Sequence, residues 1–127
     1  MSLTATLKNE HQGIFRLLEE CREMGMSDEG RRKLKQVKGL VIAHLAREDS
    51  KLYPQMQNNI ETKDLAATYA AEMKGITQDV MAFFNALEQG RSGMDFARQM
   101  GATIARLRQR MTREEVRLYP AFDQHCA

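Results

Sequence analysis

The chain of 127 residues has no Trp, two Pro, two Cys and an aromatic content of 6%. Each shortage excludes something. No apolar run is long enough to span a membrane. Two Cys cannot form a disulfide framework, and no CxxCH motif is present to attach a haem. The first residues show no basic segment followed by an apolar one, so no signal peptide is expected, and the expected setting is the reducing cytoplasm. The net charge of +2 is too small to imply a nucleic-acid partner. Pro is so scarce that its placement stands out: both residues, Pro54 and Pro120, close a Leu-Tyr-Pro triplet.

What the chain does have is helical periodicity. The hydrophobic fraction is 43% and the charged fraction 28%, ordinary values for a globular domain. Apolar residues recur at three and four. Leu7, Ile14, Phe15 and Leu18 form one stripe, and Val37, Leu40, Val41, Leu45 and Leu52 a second. Leu65, Tyr69, Ile76, Val80, Phe83 and Leu87 form a third, and Ile104, Leu107, Met111 and Leu118 a fourth. No alternating strand pattern occurs. Gly25 and Gly90 follow the first and third stripes as helix-ending residues do. Ser27 or Asp28 can start the second helix, and Thr62 or Asp64 the third. The spacing predicts helices over 5–24, 28–53, 62–89 and 94–118. Short connections make neighbours antiparallel. Residues 1–127 are therefore read as one all-α domain, an up-down-up-down four-helix bundle.

The sequence also repeats itself. "HLAREDSKLYP" (His44–Pro54) aligns end to end with "RMTREEVRLYP" (Arg110–Pro120), and "EHQGI" at Glu10 with "EMKGI" at Glu72. Helices one and two thus echo helices three and four. In the echo, Met73 faces His11 and Arg110 faces His44.

The polar residues of these segments fall on apolar faces. His11 lies one turn from Leu7 and Phe15, and His44 one turn from Leu40. Glu48 follows His44 at i+4, so the two share a face. Glu114 lies between Met111 and Leu118 on the fourth stripe. Two carboxylates in one core each cost several kcal/mol unless a cation compensates. At about 1.5 Å per residue, His11 lies about 20 Å before the Gly25 turn and His44 about 24 Å after it. Met73 and Arg110 lie about 25 Å on either side of the Gly90 turn. All four fall near one level, where His11, His44, Glu48 and Glu114 can converge. Imidazole and carboxylate together suit iron, manganese or zinc, and two His with a carboxylate form the facial set of non-haem Fe(II) sites.

A His on helix one, H-x-x-x-E and L-Y-P on helix two, and their echo on helices three and four resemble the hemerythrin-like (HHE cation-binding) family. The resemblance spans nearly the whole chain, with "HLAREDSKLYP" its most specific segment. It implies a four-helix bundle holding two non-haem irons, bridged by two Glu and terminated by His. His11, His44, Glu48 and Glu114 match that pattern. Met73 and Arg110 stand where the family has His. In the family the His residues of helices one and two serve one iron, and those of three and four serve the other. The chain thus resembles a protein that has kept one metal site and lost the second, with at most one iron. Arg110, a permanent cation one turn before Glu114, can stand in for the second metal, or it can snorkel outward with its stem on the core. Met73 fills space there.

The resemblance implies oxygen or nitric oxide sensing, or iron handling, with a small diatomic gas as partner. Reversible oxygen carriage is not expected, because the family performs it with two irons. The rival is a metal-free regulatory bundle acting through a surface or as a homodimer. A binding role is expected ahead of an enzymatic one, since no substrate pocket is recognisable. Tyr53 and Tyr119 are expected to pack at helix ends, and His125 to be solvated. Cys21 and Cys126, at opposite ends of the bundle, are expected to stay unbridged.

Overall fold

A computed structural model describes residues 2–25 and 27–127. Helix α1 (Leu3–Met24) is started by Ser2, whose Oγ accepts from the Ala5 N–H at 3.1 Å. Gly25, at φ 61°, ends it. Ser27 starts α2 (Asp28–Arg47), accepting from the Gly30 N–H at 3.1 Å. Beyond Gln57 the chain turns into α4 (Lys63–Glu88), which ends before Gly90 at φ 80°. Thr62 precedes α4, but its hydroxyl donates back to the Met56 carbonyl at 2.7 Å instead of capping the helix.

The second and fourth rods are longer than the spacing predicted. Helix α2 runs through a π turn, Glu48–Leu52, into α3 (Tyr53–Gln57). Helix α5 (Met94–Arg113) runs through a second π turn, Glu114–Leu118, into α6 (Tyr119–His125). Each turn closes with an i+5 bond, from the Tyr53 N–H to the Glu48 carbonyl and from the Tyr119 N–H to the Glu114 carbonyl. Pro supplies the reason. Inside an α-helix its ring collides with the carbonyl four residues back and it has no N–H to donate. Widening the preceding turn moves that carbonyl aside and lets the helix continue. The Leu-Tyr-Pro triplets therefore widen the helices and do not stop them.

The four rods close into an antiparallel bundle of the expected class. Among the described residues there is no strand, and no helix is long and apolar enough to cross a membrane. One apolar cluster, including Ile14, Leu18, Val37, Phe83 and Phe96, fills the upper half. A second, including Leu7, Leu52, Met56, Tyr69 and Tyr119, fills the lower half. Leu40 departs from its stripe and is 43% exposed. Cys21 is buried and Cys126 half-buried, and both are free thiols. Burial pushes the Cys21 thiol up to about 11. Between the two clusters lies a polar layer: His11, His44, Glu48, Arg110 and Glu114 are all buried.

Candidate metal centre

Every polar residue singled out for the core faces inward. His11 is 0% exposed, Glu48 and Glu114 1% each. One ligand atom from each of His11, His44 and Glu114 lies within 4.8 Å of the other two. The two Nε2 atoms face each other at 3.0 Å, and Glu114 Oε1 is 3.0 Å from His11 Nε2. Glu48 sits at the edge of this group, with Oε1 3.5 Å from His44 Nε2.

Hydrogen bonding fixes what the imidazoles present. His11 Nδ1 lies 2.7 Å from Glu115 Oε2, and His44 Nδ1 3.0 Å from Glu10 Oε1. A carboxylate only accepts, so each Nδ1 carries the proton and donates. The Nε2 atoms of the two rings are left facing each other and Glu114. With Glu114 Oε1 and Glu48 added, four acceptor groups crowd one point. Tyr119 aims its O–H at them: it donates to Glu48 Oε2 at 2.9 Å and lies 3.2 Å from both His11 Nε2 and Glu114 Oε1. Such a cluster needs positive charge at its centre, from protons on Nε2 or from a metal cation. The donor set of two imidazole nitrogens and carboxylate oxygen fits a non-haem divalent cation, and the outer carboxylates orient both rings for it.

The two carboxylates are unlike. Burial, and then the charge of Glu114, push the Glu48 carboxyl well above its ordinary range. Burial also pushes Glu114 up. That push is outweighed by the hydrogen bond with His11, by His44 at 3.8 Å and by the charge of Arg110, so its carboxyl is held well below the usual range. Glu48 Oε1 has no hydrogen-bond partner. It is an unpartnered buried oxygen 3.5 Å from His44 Nε2.

Arg110 is 2% exposed and points into the bundle. Its Nε donates to Glu114 Oε2 at 3.1 Å. Its Nη2 donates to the Tyr53 hydroxyl at 3.0 Å and the Tyr69 carbonyl at 2.9 Å. The guanidinium lies 4.6 Å from the Tyr69 ring centre. It therefore pairs with one carboxylate of the two, Glu114. Met73 packs beside it at 7% exposure.

The chain belongs to the hemerythrin HHE cation-binding domain family. The family model for that domain matches residues 2–122. No curated protein and no solved structure matches the chain. Within this hemerythrin-type domain the internal repeat acquires a geometry. In the first half, Glu10 binds His44 Nδ1 and Arg47 Nε, each at 3.0 Å. In the second half its counterpart Glu72 binds Arg113 at 3.0 Å and approaches Arg110 Nη1 at 4.0 Å. The outer Glu–Arg pair is kept in both halves, while the inner His44 becomes Arg110.

Four participants were not singled out from sequence. Glu10 had a visible signal, since it opens the repeated "EHQGI". Glu115 had none beyond adjacency to Glu114. Tyr53 and Tyr119 were placed at helix ends, and that expectation is corrected here. Tyr119 is buried among the candidate ligands, because the π turn brings the residue five after Glu114 back over the same face. Burial, followed by the two carboxylates, raises the phenol far above its ordinary value and keeps it a hydrogen-bond donor. Replacing Tyr119 with Phe leaves both oxygens of buried Glu48 without a donor. The expected loss is about 1–3 kcal/mol in urea denaturation of the metal-free domain. An unchanged midpoint would show that the phenol–carboxyl bond does not matter to stability.

Proposed function

We propose that this domain binds one non-haem metal ion, iron in preference to zinc or manganese, at His11, His44 and Glu114, with Glu48 as a fourth ligand. The observation that supports this reading is the pair of imidazole Nε2 atoms facing each other at 3.0 Å, each ring fixed by a carboxylate on its Nδ1. Arg110 takes the second metal's charge and Met73 its space. Bound there, an iron ion supplies an open coordination position for a small diatomic ligand, dioxygen or nitric oxide. The surrounding residues do the rest. Glu115 and Glu10 hold the rings and make the Nε2 atoms more basic. The two apolar clusters keep bulk water from the layer. Arg110 holds a fixed positive charge one side of Glu114. With a single metal the role is sensing or metal handling rather than oxygen carriage, and no enzymatic reaction is proposed.

The test is metal titration of His44→Ala. Four ligands are few, so loss of one should remove most of the affinity. The wild-type domain should titrate with tight binding and His44→Ala, checked for helical content, with little or none. Equal metal content in the two proteins would place the site elsewhere.

A further inference from the structure

The outer face of α2, turned away from the polar layer, carries no charge from Gly39 to Ala46. Gly39, Leu40, Ile42, Ala43 and Ala46 are all exposed there, Ile42 by 45%. Ile60, Met94 and Val116 are exposed as well, but each is flanked in sequence by polar residues or Gly. Single apolar residues are ordinary on a surface, whereas a contiguous apolar face marks a contact. Gly39 fits that reading. Its φ is not positive, and a Cβ built there would meet nothing within 4 Å. Nothing inside the chain requires a glycine at this point, and glycine weakens a helix interior. What it does provide is bare backbone for another helix to approach.

The charges that bound this face decide what covers it. Lys35 stands seven residues before Ile42 and Asp49 seven residues after it, both exposed. Alternating steps of four and three keep Lys35, Gly39, Ile42, Ala46 and Asp49 on one stripe. Against a copy of itself running the other way, the stripe sets Lys beside Asp, Gly beside Ala and Ile beside Ile. Among the described residues neither Lys35 nor Asp49 is in an ion pair. Lys35 lends its charge to Glu88, but Lys38 holds that carboxylate.

We propose that the outer face of α2 docks on the same face of a second copy of this chain, with the two helices antiparallel and Ile42 on the two-fold axis. A two-fold contact uses one patch twice, so the patch must be self-complementary, as this one is. Each Lys35 then faces the partner's Asp49. Gly39 and Ala46 let the axes come as close as about 8 Å, the near end of helix packing. The parallel alternative is disfavoured, because it sets lysine against lysine and aspartate against aspartate. In the antiparallel pair the two lysines stand about 21 Å apart at 1.5 Å per residue, beyond the screening length at physiological salt. One helix from each partner makes a small interface, so the dimer is weak and forms as concentration rises. His44 and Glu48 lie on the buried side of the same rod, so the contact does not depend on a metal.

Sedimentation of the full chain without added metal, over a wide range of concentration, reads the association. The wild-type chain should pass from monomer to dimer, and added salt should weaken the dimer. Lys35→Glu and Asp49→Lys should each weaken it about tenfold, since either change sets like charges together at both ends. An equal mixture of the two variants should dimerise at least as well as the wild type, because their charges are opposite at both ends. Ile42→Glu should stay monomeric where the wild type is dimeric. All three positions are exposed, so helical content should remain at the wild-type level. The proposal is overturned by a wild-type chain that is monomeric throughout, or by an Ile42→Glu dimer as tight as the wild type. It is also overturned by a mixture that associates no better than its components. Metal uptake does not enter this readout, so it stands or falls apart from the function proposed above.

Discussion

Replacing Arg110 with Met is expected to cost the metal-free domain about 3–5 kcal/mol of stability, the scale for removing one partner of a buried ion pair. The guanidinium is almost wholly buried, and it satisfies three groups at once: Glu114, the Tyr53 hydroxyl and the Tyr69 carbonyl. Methionine matches much of the stem but supplies no donor and no charge. Glu114 would keep its contacts to His11 and lose the cation that helps hold its carboxyl ionised. Burial raises that carboxyl first, so without Arg110 the balance moves toward protonation. A cation added at His11, His44 and Glu114 restores positive charge, so the same substitution should cost less in the metal-loaded protein. Urea denaturation with and without metal measures both. A change within about 0.5 kcal/mol, the range of ordinary surface substitutions, would mean that Arg110 is not the counter-charge of this layer.

The second large effect is a gain. Met73→His combined with Arg110→His should raise the metal bound from one ion per chain to two. Met73 and Arg110 line the same small cavity as His44, Glu48 and Glu114, so both imidazoles would enter a space the carboxylates already border. Removing Arg110 also frees Glu114 Oε2 to bridge. Two ions about 3.5–4 Å apart are the expected spacing of a two-metal site. Either single change should do less. Arg110→His adds one ligand, and Met73→His leaves the guanidinium in place. The readout is metal per chain together with magnetic coupling between two ferric ions. A folded double variant that still binds one ion would mean that the two positions no longer suit ligands.

The bundle was legible because burial writes itself at three and four along a helix. Leu7, Ile14, Val41, Phe83 and Leu107 all face the core. The inward polar set was legible for the same reason, since His44 and Glu48, four apart, fall within an apolar stripe. The repeat marked the position of Arg110 but not its direction, because a long basic side chain there can also snorkel outward; the structure buries it. The π turns were not legible. Pro54 and Pro120 signal an ending in sequence, and only the displaced carbonyl in the structure shows a widened turn that continues. That same widening hid Tyr119, whose side chain lies off the Glu114 face in a regular helix. Glu10 and Glu115 were hard to find because neighbours in sequence point in different directions on a helix. Their role appears only when the facing rods are set together. Leu40 shows the reverse error: a residue with the right spacing sits at the margin of its stripe and faces solvent.

The most direct measurement is elemental analysis of the full chain, purified without oxygen and titrated with ferrous ion. One iron per chain is expected, bound at His11, His44, Glu114 and Glu48 beside the fixed charge of Arg110. Two per chain would contradict the replacement of the second metal by Arg110, and none would contradict the metal site itself.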